Sequence, residues 1–298
     1  FYSMSEIKHK AGFVNIVGSP NVGKSTLMNA LVGEKLSIIT SKVQTTRHRI
    51  LGILNGEDFQ IVYSDTPGFI QNPTYELHKA MNDFVHSALE DADVILYVTE
   101  ARGDHMDENI MKKIVESEVP VIIAVNKIDE SKQNLVEAKV LEWREKVPKA
   151  FVLPISALHE FNIQQLLDVL LHLLPESPAY YPKDELTDKT MRFFVSEIIR
   201  EKILLNYKKE VPYSAEVAVE DYKEDNERIH IRAIIYVMRE TQKGIILGHR
   251  GSMIKKTGSE ARKDIEEFVD KHVYLDLTVK VSKDWRENET NLKRFGYK

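Results

Sequence analysis

Short apolar runs alternate with longer amphipathic segments through the first 175 residues of the chain. The apolar runs are rich in Val and Ile and predict buried strands at 12–18, 61–68, 93–100, 119–129 and 150–156. The segments between them carry apolar residues at helical spacing and predict helices at 24–32, 74–90, 107–116, 135–146 and 163–174. This alternation is typical of an α/β domain in which helices cover both faces of a doubly wound, mainly parallel sheet. Residues 50–54 are expected to add an edge strand.

The order of the elements changes after a stretch that contains Pro175, Pro178 and Pro182. The pattern beyond it predicts, in chain order, a helix at 190–206, a hairpin of strands at 214–222 and 227–238, a short helix near Gly244, a long helix to about 272 and a strand at 273–281. We therefore expect a first domain at residues 4–175, a linker at 176–189 and a smaller α+β domain with a C-terminal tail at 190–298.

The composition is that of a folded globular protein, because 43% of the 298 residues are hydrophobic and 29% are charged. The chain has no cysteine, which excludes disulfides and a thiolate zinc site and fits a reducing cytoplasm. It also has no apolar run long enough to span a bilayer. The net charge of −5 divides into −7 for the first 178 residues and +2 for the rest. Within the rest, residues 239–263 carry seven basic against two acidic residues, a cluster suited to a polyanion.

The string Gly18-Ser-Pro-Asn-Val-Gly23-Lys-Ser25 follows a predicted strand and opens a predicted helix. In that context, glycines at this spacing let backbone N–H groups surround a phosphate, and the N-terminus of the helix adds the positive end of its dipole. Lys24 can reach the β- and γ-phosphate oxygens, and the Ser25 hydroxyl can ligate Mg²⁺. The pattern therefore predicts a P-loop.

Two further motifs stand at the ends of predicted strands, where ligands of open α/β sheets bind. Asp65-Thr-Pro-Gly68 supplies a carboxylate that can hold Mg²⁺ through water and an N–H that can sense a γ-phosphate. Asn126-Lys-Ile-Asp129 supplies a carboxylate that can accept hydrogen bonds from guanine N1–H and the 2-amino group. Adenine has neither donor and would leave a buried carboxylate unpaired, so the motif predicts a preference for GTP over ATP.

The residues expected to contact the nucleotide are those of these motifs, together with Ser156-Ala157 after the next strand, whose backbone N–H can meet the guanine 6-oxo group. They are Gly18, Ser19, Pro20, Asn21, Val22, Gly23, Lys24, Ser25, Thr26, Asp65, Thr66, Pro67, Gly68, Phe69, Asn126, Lys127, Ile128, Asp129, Ser156 and Ala157.

Residues 18–31, 41–53, 65–68 and 196–203, which read GSPNVGKSTLMNAL, SKVQTTRHRILGI, DTPG and SEIIREKI, resemble the Era family of ribosome-assembly GTPases. The likeness extends from about residue 11 to 297. It implies a GTPase domain and a type II KH domain, GTP and GDP as ligands, and single-stranded RNA near the 3′ end of small-subunit ribosomal RNA as a partner in 30S assembly. We expect a cytoplasmic monomer. Some relatives are membrane-associated, so peripheral binding to the inner face of the cell membrane stays open.

The segment Gln44-Thr-Thr-Arg-His-Arg49 falls where the first switch loop of such a GTPase would lie. Thr45 or Thr46 is expected to close on Mg²⁺ when GTP is bound, and the sequence does not choose between them. The basic side chains of Arg47, His48 and Arg49 are interpreted as surface or switch groups rather than catalytic ones.

Two features predict how fast GTP is hydrolysed. The residue after Gly68 is Phe69, where well-known small GTPases carry a glutamine that orients the attacking water, so slow turnover is expected. Asn21 has two interpretations. It can ligate a K⁺ ion that assists hydrolysis, as in related GTPases, or it can be a loop residue that tolerates a positive φ. The residues assigned to catalysis are Asn21, Lys24, Thr45, Thr46 and Gly68, and those assigned to Mg²⁺ are Ser25, Thr45, Thr46 and Asp65.

In the second domain, Gly248-His-Arg-Gly251 matches the GxxG loop of a KH domain and lies between two predicted helices. Two glycines let the backbone approach a phosphodiester chain, and the following helix presents free N–H groups. The residues expected to bind RNA are Ile246, Gly248, His249, Arg250, Gly251, Lys255 and Lys256. In the tail beyond it, Trp285 and Phe295 are expected to pack against the domain.

Two alternatives compete with a ribosome-assembly switch. Another nucleic-acid-associated GTPase, such as a tRNA-modification GTPase, would need a further catalytic domain. A P-loop kinase or ATPase is disfavoured because the motif at 126–129 selects guanine.

Overall fold

In the computed structural model of the chain, residues 8–103 and 107–298 can be described, and the expected domain start at residue 4 lies outside these ranges. In chain order the elements are β1 (Lys10–Gly18), α1 (Lys24–Val32), β2 (Ile50–Asn55), β3 (Phe59–Asp65), α2 (Glu76–Glu90), β4 (Val94–Glu100), α3 (Glu108–Val115), β5 (Val121–Asn126), α4 (Gln133–Lys146), β6 (Phe151–Pro154), α5 (Ile163–Leu173), α6 (Met191–Asn206), α7 (Val211–Ser214), β7 (Glu216–Glu224), β8 (Arg228–Val237), α8 (Glu240–Leu247), α9 (Ser252–Val269), β9 (His272–Val281) and α10 (Glu289–Arg294).

The first sheet has six strands in the order β2-β3-β1-β4-β5-β6. All neighbours are parallel except β2 and β3, so the predicted doubly wound sheet and its added edge strand are both confirmed. The central strands β4 and β5 are almost entirely buried, as expected for parallel strands covered on both faces. The register pairs Ile16 with Asp65 and Glu100 with Asn126. The carboxyl ends of β1, β3 and β5, and the motifs that follow them, therefore meet at one edge of the sheet.

The second sheet has three strands, in the order β7-β8-β9, with β7 antiparallel and β9 parallel to β8. The helices α6, α8 and α9 pack against one face of it, and their apolar residues form one core with the inward residues of the strands. The predicted order of helix, two strands, two helices and strand is confirmed. The long helix ends at Val269 rather than near 272, because Asp270 adopts a left-handed conformation (φ 50°) that caps it. The short helices α7 and α10 were not predicted.

The contacts of the chain divide it into two compact units that do not follow chain order throughout. The first contains the six-stranded sheet and residues up to 188. Residues 176–188, predicted as a linker, hydrogen-bond along the edge of this sheet, where the Tyr181 and Leu186 carbonyls accept from Gln60 and Ile53. The second unit contains the three-stranded sheet, residues 38–45 and residues 73–80. Within the described residues, none of the helices combines the length and apolar character needed to cross a membrane.

Candidate functional site

The P-loop turns between β1 and α1 around the ammonium group of Lys24. Lys24 Nζ donates to the carbonyls of Gly18 at 3.0 Å and Ser19 at 2.8 Å, so it points into the loop. Gly23 has a φ of 97°, and a Cβ there would lie 2.2 Å from Asn126 Nδ2, so only glycine fits. Asn126 Nδ2 in turn donates to the Val22 carbonyl at 2.9 Å. The P-loop and the base-selecting motif are therefore held together by direct contact.

Asp65 is the last residue of β3, and its side chain is fully buried beside the first turn of α1. Its Oδ2 accepts hydrogen bonds from Ser25 Oγ at 2.7 Å and Ser37 Oγ at 2.9 Å. The Oγ1 of Thr46 lies 2.9 Å from Ser25 Oγ. The Asp65 carboxylate and the hydroxyls of Ser25, Ser37 and Thr46 thus form one hydrogen-bonded cluster, and this oxygen-only set is the kind that Mg²⁺ prefers.

The other oxygen of the Asp65 carboxylate supports this interpretation. Oδ1 is buried and accepts no hydrogen bond from any residue in the described ranges, and such an orphan is costly unless a ligand or water satisfies it. Burial raises the pKa of Asp65, and the hydrogen bonds from Ser25 and Ser37 and the charge of Lys24 oppose that rise. The residues present therefore fit a hydrated Mg²⁺ ion, whose charge would favour the ionised carboxylate.

The two adjacent threonines of the switch segment point to different partners. Thr45 Oγ1 donates to the Lys42 carbonyl and lies 2.6 Å from Thr40 Oγ1, so it stabilises its own loop. Thr46 Oγ1 instead reaches Ser25. The two hydroxyls that the sequence could not tell apart therefore differ in position, since Thr46 Oγ1 contacts Ser25 Oγ and Thr45 Oγ1 contacts its own loop.

The base-selecting motif follows β5 and is organised by Asn126, whose Oδ1 accepts from the Ala157 N–H at 2.9 Å. Asp129 Oδ1 accepts from Ser156 Oγ at 2.6 Å, which orients the carboxylate that was expected to bind guanine. Lys127 has a φ of 57°, and its Nζ donates to the Asn21 carbonyl at 2.6 Å. Its aliphatic stem consequently bridges the motif and the P-loop, as expected for a side chain that covers a base.

The remaining nucleotide-motif residues surround these groups. Thr66 is fully buried and its Oγ1 donates to the Ile16 carbonyl at 2.8 Å, which fixes the start of the motif at 65–68. Pro20 is exposed and Val22 is buried. The others, Ser19, Thr26, Gly68, Phe69 and Ile128, are half-buried, whereas Pro67 is buried. The structure thus brings all four predicted motifs into one neighbourhood at the carboxyl edge of the sheet.

Phe69 and Asn21 occupy the places that bear on hydrolysis. The Phe69 ring packs edge-on to His86 with centroids 5.7 Å apart and contacts the apolar core, so it offers no group to orient water. Asn21 is exposed and has a φ of 65°. This backbone conformation agrees with the loop interpretation, and it leaves the interpretation as a K⁺ ligand open.

The basic residues after Thr46 were interpreted as surface or switch groups, and the surface interpretation is wrong for Arg47 and His48. Arg47 is fully buried and His48 is 7% exposed, with its ring 6.3 Å from that of Phe84. Arg49 binds both carboxylate oxygens of Asp91, at 2.6 and 2.8 Å. Arg49 also donates to Ser64 Oγ of β3 at 2.6 Å, so it anchors the switch segment to the sheet as β2 begins. The sequence pattern alone could not show this, because basic residues are usually solvated.

The GxxG loop of the second unit joins α8 to α9. Gly248 and Gly251 have φ values of 72° and 77°, and Arg250 between them also adopts a left-handed conformation, with a φ of 50°. The side chains of His249 and Arg250 are exposed. No side chain caps the N-terminus of the 18-residue helix α9, and the first N–H of the helix, that of Ser252, donates to the His249 carbonyl within the loop.

Lys255 and Lys256 are both exposed on the first turn of α9, as expected for a phosphate-binding surface. Ile246 is the exception among the predicted RNA-binding residues. Its side chain is fully buried in the core and its carbonyl accepts from Tyr207 Oη at 2.7 Å, so it packs beneath the surface instead of forming part of it. Its neighbour Ile245 is 49% exposed. The sequence did not determine which of these two isoleucines faces the core, because that depends on the rotation of α8 about its axis. In the structure Ile246 faces the core and Ile245 is exposed.

Ser37 and Asn29 lie beside the nucleotide site and were not among the predicted site residues. Ser37 is buried and donates to Asp65, and Asn29 of α1 holds Ser37 in place by accepting from its N–H and donating to its carbonyl, at 3.0 and 2.9 Å. A serine in a loop has no distinguishing pattern, and only the fold shows that it lies beside the carboxylate.

Comparisons with known proteins agree with this geometry. Residues 13–127 match the family model described as a 50S ribosome-binding GTPase, and residues 210–286 match the KH domain. The chain is 45% identical to GTPase Era of Geotalea daltonii over 298 residues, which cover 99% of this chain and 100% of that protein. It is 43% identical to GTPase Era of Clostridium kluyveri over 292 residues, with 97% and 99% covered.

Two crystal structures share the fold, each with a TM-score of 0.92 and 38% identity over 97% of this chain and 99% of the other. One is Era in complex with MgGDPNP and nucleotides 1506–1542 of 16S ribosomal RNA, and the other is Aquifex aeolicus Era Y63A bound to GDP·AlF4⁻. Full-length identity of this degree, together with the nucleotide motifs and the GxxG loop, shows that the chain belongs to the Era family of GTPases.

Proposed function

We propose that this protein is a GTP-binding, slowly GTP-hydrolysing switch that binds the 3′ region of small-subunit ribosomal RNA and assists 30S assembly. The observation that carries the proposal is the combination, in one chain, of a guanine-selective nucleotide site with an exposed GxxG loop. A relative with the same fold has been crystallised with MgGDPNP and the 3′ segment of 16S ribosomal RNA.

In the nucleotide site, Lys24 would bind the β- and γ-phosphates with the main-chain N–H groups of the P-loop. Ser25, Thr46 and, through water, Asp65 would hold Mg²⁺, which neutralises charge on the phosphates when bound. Asp129 would accept two hydrogen bonds from guanine. Each of these side chains already has its orientation set by a hydrogen bond to a neighbour.

Hydrolysis is expected to be slow because the residue that directly follows Gly68 is Phe69, whose ring packs against His86 and cannot orient water. We propose that Asn21 assists by helping to hold K⁺ near the phosphates. This proposal is supported by the position of Asn21 in the P-loop, where the Asn21 carbonyl accepts a hydrogen bond from Lys127 Nζ. An enzyme of this kind acts as a timer, since the lifetime of the GTP form sets how long its partner is bound.

RNA is expected to bind along the GxxG loop and the first turn of α9. Four exposed basic or potentially basic side chains lie there: His249, Arg250, Lys255 and Lys256. The left-handed glycines let the phosphodiester chain approach the backbone, and the start of α9, which no side chain caps, presents the positive end of the helix dipole to its phosphates. Binding should therefore weaken steeply with salt.

The test is the affinity for an RNA with the sequence of the 3′ end of small-subunit ribosomal RNA, measured with a GTP analogue, with GDP and without nucleotide. Arg250→Glu with Lys255→Glu should reduce binding by at least about tenfold while guanine-nucleotide affinity stays unchanged. Lys223→Glu with Lys280→Glu is the matched control, because it makes the same change of charge at two exposed sites of the second sheet. An equal loss of RNA affinity in both variants would show that the RNA is held by non-specific electrostatic attraction.

The alternatives have less support. The Era relatives match this chain along its full length, KH domain included, which favours small-subunit RNA over a tRNA-modification role and over the large subunit named by the GTPase family model. Membrane attachment through the tail is disfavoured, because Trp285, Leu292 and Tyr297 are buried in the protein. We expect a monomer, which sedimentation equilibrium can check.

A further inference from the structure

Arg200 of α6 is a fully buried arginine that no nucleotide or RNA motif explains. Its guanidinium binds both carboxylate oxygens of Glu197, at 2.8 and 2.7 Å. The same group also donates to the main-chain carbonyls of Gln44, at 3.3 Å, and of Thr45. Residues 38–45 belong to the same compact unit as α6, so these contacts lie within that unit.

The buried ion pair of Arg200 and Glu197 is not explained by its contribution to core stability. Burying two charges costs several kcal/mol per ion before their attraction is counted, and apolar residues of similar size usually stabilise a core as well or better. Burial acts to lower the pKa of Arg200, but the charge and hydrogen bonds of Glu197 outweigh it and keep the pKa above its ordinary value. The guanidinium is therefore a permanent cation, held with its remaining N–H donors aimed at the backbone of the switch segment.

The position of the two carbonyls gives these contacts a consequence at the nucleotide site. Thr45 immediately precedes Thr46, whose hydroxyl lies 2.9 Å from Ser25 Oγ in the set that fits Mg²⁺. Consecutive Cα atoms are separated by a fixed 3.8 Å. A bond that holds the Thr45 carbonyl therefore restricts where Thr46 can move.

We propose that Arg200 is a positioning residue that holds residues 44–45 so that Thr46 is preplaced for the GTP-bound state, tying the nucleotide state directly to helix α6. The inference rests on the proposed function, because it assumes a switch whose first loop closes on Mg²⁺ and the γ-phosphate. Glu197 acts with Arg200 by fixing the plane of the guanidinium. Loss of the clamp should therefore weaken GTP binding more than GDP binding.

The test compares three variants of the full chain. Arg200→Gln with Glu197→Gln removes the clamp together with both charges of its ion pair. Arg200→Lys keeps the charge but loses the forked donors. The control is Lys202→Gln with Asp264→Asn, which removes an ion pair of the same net charge that joins α6 to α9 and touches no switch residue. Thermal melting identifies the folded variants.

The first measurement is the affinity for a GTP analogue divided by that for GDP, with Mg²⁺ present. In both clamp variants this ratio should fall by at least about fivefold, the lower end of ordinary coupling between sites, and it should stay unchanged in the control. The second measurement is amide hydrogen exchange in residues 38–48 without nucleotide. It should accelerate in the clamp variants only.

An unchanged ratio in the folded clamp variants would overturn the inference, and so would an equal fall in the Lys202/Asp264 control. If the double variant does not fold, the Arg200→Lys variant and the control decide by the same criteria. Failure of the proposed function looks different, because wild-type protein would then not bind the ribosomal RNA segment whatever the nucleotide. The affinity ratio and the exchange rates require no RNA, so they remain informative in that case.

Discussion

Replacing Thr45 and Thr46 one at a time by valine tests the roles of two neighbouring hydroxyls that have different partners in the structure. Valine keeps the volume and the β-branched shape of threonine and removes only the hydrogen-bonding group. Thr46 Oγ1 lies 2.9 Å from Ser25 Oγ, which donates to the Asp65 carboxylate, whereas Thr45 Oγ1 bonds to neutral groups of its own loop. The two variants should therefore differ in which nucleotide they affect.

The size of the difference follows from the kind of bond that is lost. A hydrogen bond or ligand contact to a charged centre contributes about 1.5–3 kcal/mol, so Thr46→Val should weaken GTP-analogue binding by roughly 10- to 150-fold in Mg²⁺. Thr45→Val loses bonds between neutral groups that contribute about 0.5–1.5 kcal/mol each. That loss loosens the loop and should change GTP-analogue and GDP affinities by similar factors.

Titration with fluorescent GTP-analogue and GDP derivatives, in Mg²⁺ and in chelator, measures both effects. For Thr46→Val the loss should be confined to the GTP analogue with Mg²⁺ and should disappear in chelator. A GTP-specific loss in Thr45→Val, with Thr46→Val behaving like wild type, would show that the assignment of the metal ligand is reversed.

Three further predictions concern base choice, monovalent ions and the tail. Asp129→Asn should reduce GTP affinity by at least about tenfold and raise that for xanthosine triphosphate, whose 2-oxo group accepts a hydrogen bond from the new amide; competitive binding of the two nucleotides measures it. Replacing K⁺ by Na⁺ should lower the rate of GTP hydrolysis by the wild-type protein and leave the rate of the Asn21→Ala variant unchanged. Equal wild-type rates in both salts would contradict the proposal that Asn21 helps to hold K⁺. Trp285→Ala should destabilise the second unit by about 3–5 kcal/mol in denaturant unfolding, because this indole is fully buried and donates to the Ser214 carbonyl at 2.8 Å, whereas Lys283→Ala should change stability by less than about 0.5 kcal/mol.

Much of the nucleotide site could be predicted because its parts are short and local. A P-loop is a continuous stretch that carries its own glycines, lysine and serine, and its chemistry depends mainly on backbone that those residues shape. The motifs at 65–68 and 126–129 were equally legible, since each follows an apolar strand. The order of strands and helices then implied that all three meet, and the strand register confirms it.

What the sequence by itself determined is therefore the fold class, the order of elements in both halves, and the motifs whose residues are neighbours in the chain. Only the tertiary structure decided which of Thr45 and Thr46 contacts Ser25, that Ser37 donates to Asp65, and that Arg200 reaches the switch segment across 155 positions of sequence. The physical reason is that hydrophobic periodicity and motif spacing report on local conformation. The direction of a side chain and the partner of a buried charge depend instead on how distant segments pack.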